Sequence, residues 1–314
     1  MSEALRKLDE FRSEKKIEQL VELVNRVIVD KEKEVKLSIA CLLANGHLLL
    51  EDRPGMGKTS LVKTLSKVMG LESSRIQFTN DMLPADILGT SIFNKETQTF
   101  EFHKGPIFAN FVLADEINRA TPKTQSACLQ AMEEYQVSID GIRYELPSPF
   151  FLVATQDPQE NIGTFPLPES QLDRFLMKTQ LGFPSRKAER EIIIGKDRRQ
   201  WIEELPQVLT PKDLKRYIAQ ANVVHISDMM LDYLQDIVEK SRTLSLGLSP
   251  RAVRDFSRAA KAWAFIEGRD FVIPEDIQAV AVAVMNHRLL SFNHSTNVDG
   301  YELAQEIIHS VIVP

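Results

Sequence analysis

The sequence predicts an α/β fold: a mostly parallel, doubly wound sheet carrying hairpin insertions and followed by an all-helical second domain. Three observations predict it. Short apolar runs alternate with helix-period segments up to about residue 183, the pattern of strands joined by crossover helices. One of those runs passes through a glycine-bearing turn straight into a helical pattern. From Pro184 onward only helical periodicity remains.

Taken in order, Leu5, Leu8, Phe11, Ile17, Leu20, Val21 and Val24 recur at helical spacing over residues 2–24, and a second helix is expected over 32–44, ended by Asn45-Gly46. HLLLE (47–51) is a short apolar run and SLVKTLSKVMG (60–70) resumes the helical period, with Gly70 as its stop. Further strands are expected at RIQF (75–78), FVLAD (111–115), FFLVAT (150–155) and FLMKTQL (175–181), with a helix at PKTQSACLQAMEE (122–134). Residues 91–105 and 137–146 break the alternation and predict hairpins, the second turning on Asp140-Gly141. Pro184 stops the last strand and Ser185 is a good helix cap, so the domains are set at 1–183 and 184–314. In the second domain, 211–221, 228–242, 249–268 and 274–289 each open on a Ser, Asp or Pro start signal.

Composition narrows the function classes. The chain has 314 residues, 43% apolar and 26% charged, with 38 basic against 44 acidic side chains. The net charge of −6 argues against nucleic acid or an anionic membrane as the general partner. Cys41 and Cys128 sit inside apolar helical patterns and are expected as buried free thiols, which suits a reducing cytoplasm. No apolar run approaches the eighteen or so residues that would predict a membrane span, and none of the six histidines has metal-ligand spacing.

The chemistry centres on EDRPGMGKTS (51–60). A phosphate loop is written G-x-x-x-x-G-K-[ST]; here Gly57, Lys58 and Thr59 fill the end of the pattern, and Asp52 stands where the first glycine belongs. Backbone N–H groups of Pro54-Gly55-Met56-Gly57 and of the helix start would converge on phosphates, apart from the proline, with Lys58 supplying a fixed positive charge and Thr59 and Ser60 opening the helix. Asp52 is tolerable because Asp accepts left-handed backbone geometry better than most residues, provided its carboxylate points away from the phosphates. The bland alternative is a glycine turn before a helix. Against it stands FVLADE, an apolar strand ending in Asp115 and Glu116. Asp115 would hold Mg²⁺ together with Thr59, and Glu116 would polarise an attacking water.

Three more stretches extend the pattern: VATQDP (153–158), PLPESQLDRF (166–175) and GLSPRAVRDF (247–256). Together with GHLLLEDRPGMGKT, LPADILGTS, FANFVLADEINRATPKTQSACLQAMEE, VSIDG and SPRA, in this order and over almost the whole length, the chain resembles the MoxR-type AAA+ ATPases. The resemblance implies an AAA+ core with a helical lid, ATP and Mg²⁺ as ligands, and a ring of six copies. It implies that Arg174 is an arginine finger reaching a neighbouring subunit's γ-phosphate, and that Arg251 is the second sensor coupling the lid to nucleotide. It further implies that the two hairpins face the pore of the ring, that protein clients are remodelled, and that a partner supplies a von Willebrand factor A type domain, for which the residues after 190 leave no room. Met82, Leu83 and PADILGT beside the first hairpin are expected to be core rather than client contacts. One departure concerns hydrolysis: family members commonly carry Asn at the first sensor, where this chain has Asp157. Two rival functions remain open at this stage, a nucleic-acid motor using Lys95, Lys104 and Arg143, and a nucleotide-gated scaffold that barely hydrolyses.

Overall fold

Five parallel strands form the central sheet in a computed structural model that describes residues 3–158, 163–195, 198–245, 247–289 and 299–314. Two helices precede them, α1 (Glu3–Val27) and α2 (Glu32–Leu43). The chain then runs through β1 (Leu48–Glu51), α3 (Lys58–Val68), β2 (Ser73–Gln77), the short α4 (Pro84–Leu88) and a hairpin of β3 (Gly89–Asn94) and β4 (Thr99–Lys104). Next come β5 (Phe111–Asp115), α5 (Pro122–Glu134), a second hairpin of β6 (Gln136–Ile139) and β7 (Ile142–Glu145), β8 (Phe151–Gln156), α6 (Glu169–Leu172) and β9 (Met177–Thr179). Seven helices complete the described chain: α7 (Arg186–Ile194), α8 (Arg198–Glu204), α9 (Pro211–Asn222), α10 (Asp228–Leu244), α11 (Pro250–Ile266), α12 (Pro274–Met285) and α13 (Gly300–Ser310).

The spatial order β2-β5-β8-β1-β9 reverses direction around β1, and at such a switch point the carboxyl ends of the strands open a crevice for ligands. Because side chains alternate along a strand, the sheet divides its apolar residues between two faces. Leu48, Leu50, Phe111, Leu113 and Val153 face Leu61, Val62 and Leu65 of α3. Leu49, Val112, Ala114, Leu152 and Ala154 face Cys128, Leu129 and Met132 of α5. Helices α3 and α5 therefore cover opposite faces. The first of these cores runs on without a break into the C-terminal helices, through α2 against α11 and β9 against α12.

Several boundaries differ from expectation for physical reasons. Strand β2 starts at Ser73, two residues early, because it is an edge strand and tolerates the exposed Ser73. Strand β9 shrinks to three residues because Phe175 and Leu176 are held by side chains of the lid. The expected helix over 274–289 stops at Met285, and the residues after it turn so that His287 reaches Phe175 O. Asp140 and Gly141 take φ of 50° and 78°, the primed turn that matches strand twist. The stretch expected to be core splits: Ile87 is buried and Met82 packs against the core, whereas Leu83 is 62% exposed. No helix among the described residues is long and apolar enough to cross a membrane.

Candidate nucleotide site

Strand register brings the predicted phosphate-handling residues to one edge of the sheet. Glu51 pairs with Gln156, and Gln77 with Asp115. Thus the loop after β1, Asp115 and Glu116 after β5, and Asp157 after β8 all emerge at the strands' carboxyl ends. In the loop, Gly55 and Gly57 have φ of 85° and 91°, which only glycine adopts without strain. No side chain caps the start of α3, so its first N–H groups are available to an anion. Lys58, although buried, turns back to donate to the carbonyls of Asp52 and Arg53. A lysine already inside the loop, held only by backbone oxygens, is positioned to exchange them for phosphate.

Asp52 departs from the expectation. It is not among the residues with positive φ; it is accommodated because its buried carboxylate turns out of the loop to accept the N–H groups of Leu181 and Gly182. The condition that it point away from the phosphates is met by a bond to the segment leaving β9. The entry to the phosphate loop is thereby fastened to the end of the α/β domain.

The carboxylates after β5 are engaged by protein groups. Asp115 Oδ1 accepts from Thr155 Oγ1 at 2.6 Å, and Oδ2 pairs with Arg75 at 2.6 Å. Thr155 in turn accepts the Glu116 N–H at 2.9 Å. Glu116 takes a left-handed backbone, φ 57° and ψ 49°, which for a non-glycine residue is uncommon and typical of functional turns. Its carboxylate meets Gln77 at 2.8 Å and Arg119 at 2.9 Å. Arg75 and Gln77, which sequence reasoning missed, lie two apart on β2 and face the same way. The available signal was two long polar residues flanking Ile76 in a strand. What could not be read was that β2 neighbours β5.

These residues fit a divalent cation. Asp115 already neutralises a positive group, the Arg75 guanidinium, and Thr59 lies at the start of the helix that the loop feeds. Among the described residues no group of three His, Cys, Asp or Glu side chains forms a metal cage, so water and phosphate oxygens would complete the shell, as Mg²⁺ prefers.

Arg174 and Arg251 lie at the other edge. Leu176 donates its N–H to His47 O at 2.9 Å, just ahead of β1, so Arg174 belongs to the amino ends of the strands. From His47 to Asp52 the extended chain covers about 16 Å at 3.3 Å per residue. Both arginines instead converge on Glu133 at the end of α5. Arg251 Nη2 lies 2.5 Å from Oε1. Arg174 Nη1 lies 3.1 Å from Oε2, an ion contact whose angle makes no hydrogen bond. Beside them, burial lowers the pKa of His47 to about 3, so its ring is neutral and its Nδ1 accepts the Leu152 N–H. The structure thus assembles the predicted site residues in two groups and separates the arginines from their own subunit's phosphate loop.

The fold and the carboxyl-edge residues define a P-loop ATPase core with a helical lid. Residues 47–177 match the ATPase family associated with various cellular activities (AAA), and residues 239–311 match the AAA lid domain. The chain is 44% identical over 299 residues to the uncharacterized protein YeaC of Bacillus subtilis, covering 94% of this chain and 93% of that one. It is 42% identical over 290 residues to chaperone MoxR1 of Mycobacterium tuberculosis, covering 87% and 75%. A crystal structure of a proposed ATPase from Cytophaga hutchinsonii superposes over all of both chains with a TM-score of 0.90 at 35% identity. The chain belongs to the MoxR-type AAA+ ATPases.

Proposed function

We propose that this protein hydrolyses ATP in a ring of its own copies, six by family resemblance, and uses the turnover to remodel protein clients in the cytoplasm. The observation that carries the reading is the division of the site between two edges of the sheet. Lys58, Asp115, Glu116 and Asp157 meet at one edge, while Arg174 and Arg251 meet at the other. Arginines placed there serve a nucleotide held by the next subunit.

In this reading the β- and γ-phosphates occupy the loop of Gly55 and Gly57, and Lys58 leaves its backbone carbonyls for them. Thr59 and Asp115 would hold a Mg²⁺, whose charge would offset the negative charge of the phosphates. Asp115 becomes available when Arg75 swings away. Glu116 takes a proton from the attacking water as its oxygen bonds to the γ-phosphorus, the bond to the β–γ bridging oxygen breaks, and ADP departs as the leaving group. Arg174 and Arg251 of the neighbour spread the charge that develops.

A protein client is favoured over nucleic acid by the hairpins. Phe93 and Phe100 form a cross-strand pair, Phe100 is 72% exposed, and Ile92 of the same hairpin and Ile142 of the second hairpin are also exposed. Such surfaces suit apolar segments. MoxR1 carries the name chaperone, and a von Willebrand factor A type partner is part of the same proposal. Lys58→Ala is expected to abolish ATP binding in calorimetry with the fold intact by circular dichroism; retained affinity would remove the loop from the mechanism. Single-stranded DNA is expected to leave turnover unchanged, and stimulation would favour the motor instead.

A further inference from the structure

Arg288 follows α12 and its side chain is 4% exposed. Its Nε donates to Asp173 Oδ1 at 2.8 Å; Nη1 donates to Leu176 O at 3.1 Å and Val284 O at 2.9 Å. Nη2 reaches Phe175 O at 2.8 Å, Asp173 O at 3.2 Å and Asp255 Oδ2 at 3.1 Å. Four of these contacts therefore fall on residues 173–176, the strap that contains Arg174. The Asp255 contact reaches α11, the helix that carries Arg251.

A second link closes the arrangement. Asp173 Oδ2 accepts from Ser249 Oγ at 3.3 Å, and that same hydroxyl accepts the Ala252 N–H as the cap of α11. His287 adds a bond of 2.9 Å from Nε2 to Phe175 O, donated by a ring that burial keeps neutral. One residue on either side of Arg174, and the cap two residues before Arg251, are thus held by a single buried guanidinium and its carboxylate partner. Desolvating a guanidinium is expensive, and apolar side chains join two segments at lower cost. What a planar fork with fixed donors provides in exchange is direction.

We propose that Arg288, acting through Asp173, is a positioning residue that sets Arg174 and Arg251 as one unit for the nucleotide of the neighbouring subunit. It touches no reacting atom. The inference rests on the shared-site reading above and adds that the finger's aim is set by the lid of its own subunit. Lid and finger then move together.

The test uses the full-length chain with Arg288→Lys, which keeps the charge and loses the fork, and Asp173→Asn, the milder change should the first fail to fold. Misplacing a reacting group by about 1 Å can lose about 10²-fold in rate, and a loss of that order in ring turnover is expected for Arg288→Lys, smaller for Asp173→Asn. ATP affinity should stay within about twofold of wild type, since the phosphate loop is untouched. Mixing either variant with Lys58→Ala protein should restore turnover at interfaces where the variant's loop meets an intact arginine pair. Arg269→Lys is the control, because the Arg269–Asp276 pair is confined to the lid; it should lower the thermal midpoint and leave turnover alone. Wild-type turnover in both Arg288→Lys and Asp173→Asn, a parallel loss of ATP affinity, or no gain in mixed rings would overturn the proposal. Normal turnover in Arg174→Ala would instead remove the shared-site reading on which it rests.

Discussion

The two edges of the sheet are built by different means. At the carboxyl edge, each functional residue lies at or just beyond the end of a strand, and strand pairing alone brings Asp115, Glu116, Asp157 and the phosphate loop into one row. At the amino edge, Arg174, Arg251 and Glu133 come from a strap, a lid helix and a core helix, and they meet through side chains. The first kind of site is local and can be completed within one subunit. The second lies away from the phosphate loop of its own subunit, so in the proposed function its chemistry depends on assembly.

That difference is broken most directly at Arg174. Arginine fingers contribute about 10³ to 10⁵ in rate in other nucleotide hydrolases, and Arg174→Ala is expected to lose that much, with ATP affinity nearly unchanged. Wild-type specific activity should rise with protein concentration as rings form. Concentration-independent turnover combined with a harmless Arg174→Ala would place the whole active site on one edge. A smaller effect is expected at Glu116, where general-base catalysis contributes about 10² to 10⁴. Glu116→Gln keeps the shape and the Gln77 contact but cannot take a proton, so it should bind ATP and lose turnover. Unlike Arg174→Ala, it should not be rescued by a neighbour's intact arginines when every loop in the ring carries it.

The same contrast governs what the sequence made legible. Five strands, both hairpins and the 122–134 helix follow from periodicity and turn residues, because those signals are local. The phosphate loop and Asp115-Glu116 follow because a strand must end where its chemistry begins. Legibility stopped wherever a residue acts across the chain. Arg75 and Gln77 became site residues only through the pairing of β2 with β5. Arg288 sat in an expected helix over 274–289, yet the helix ends at Met285 so that Arg288 can reach Asp173. Asp52 looked like a tolerated substitution within the loop and is instead a tie to Leu181 and Gly182, 130 residues away at the second of these.

The smallest expected effect, at Asp157, tests how finely the carboxyl edge is built. Asp157 follows the last residue of β8, and Asp52 donates its N–H to Gln156 O at 3.1 Å, so Asp157 leaves the sheet level with the start of the phosphate loop. On the other side, Thr155 Oγ1 is bonded to both Asp115 and Glu116. Residue 157 therefore leaves the sheet between the loop and the strand end that carries the two acidic residues. An Asn there donates a hydrogen bond to a phosphate oxygen, and an ionised Asp cannot. Asp157→Asn is expected to raise the single-turnover rate in assembled rings at neutral pH, by up to about tenfold if one transition-state hydrogen bond of about 1.4 kcal/mol is gained. ATP affinity should change little, since the gain belongs to the transition state. Equal or slower turnover would mean that the carboxylate itself serves the reaction by orienting the water toward phosphorus. The carboxyl edge would then carry two acidic groups on the attacking side, and the departure from Asn at this position would be a different solution to hydrolysis.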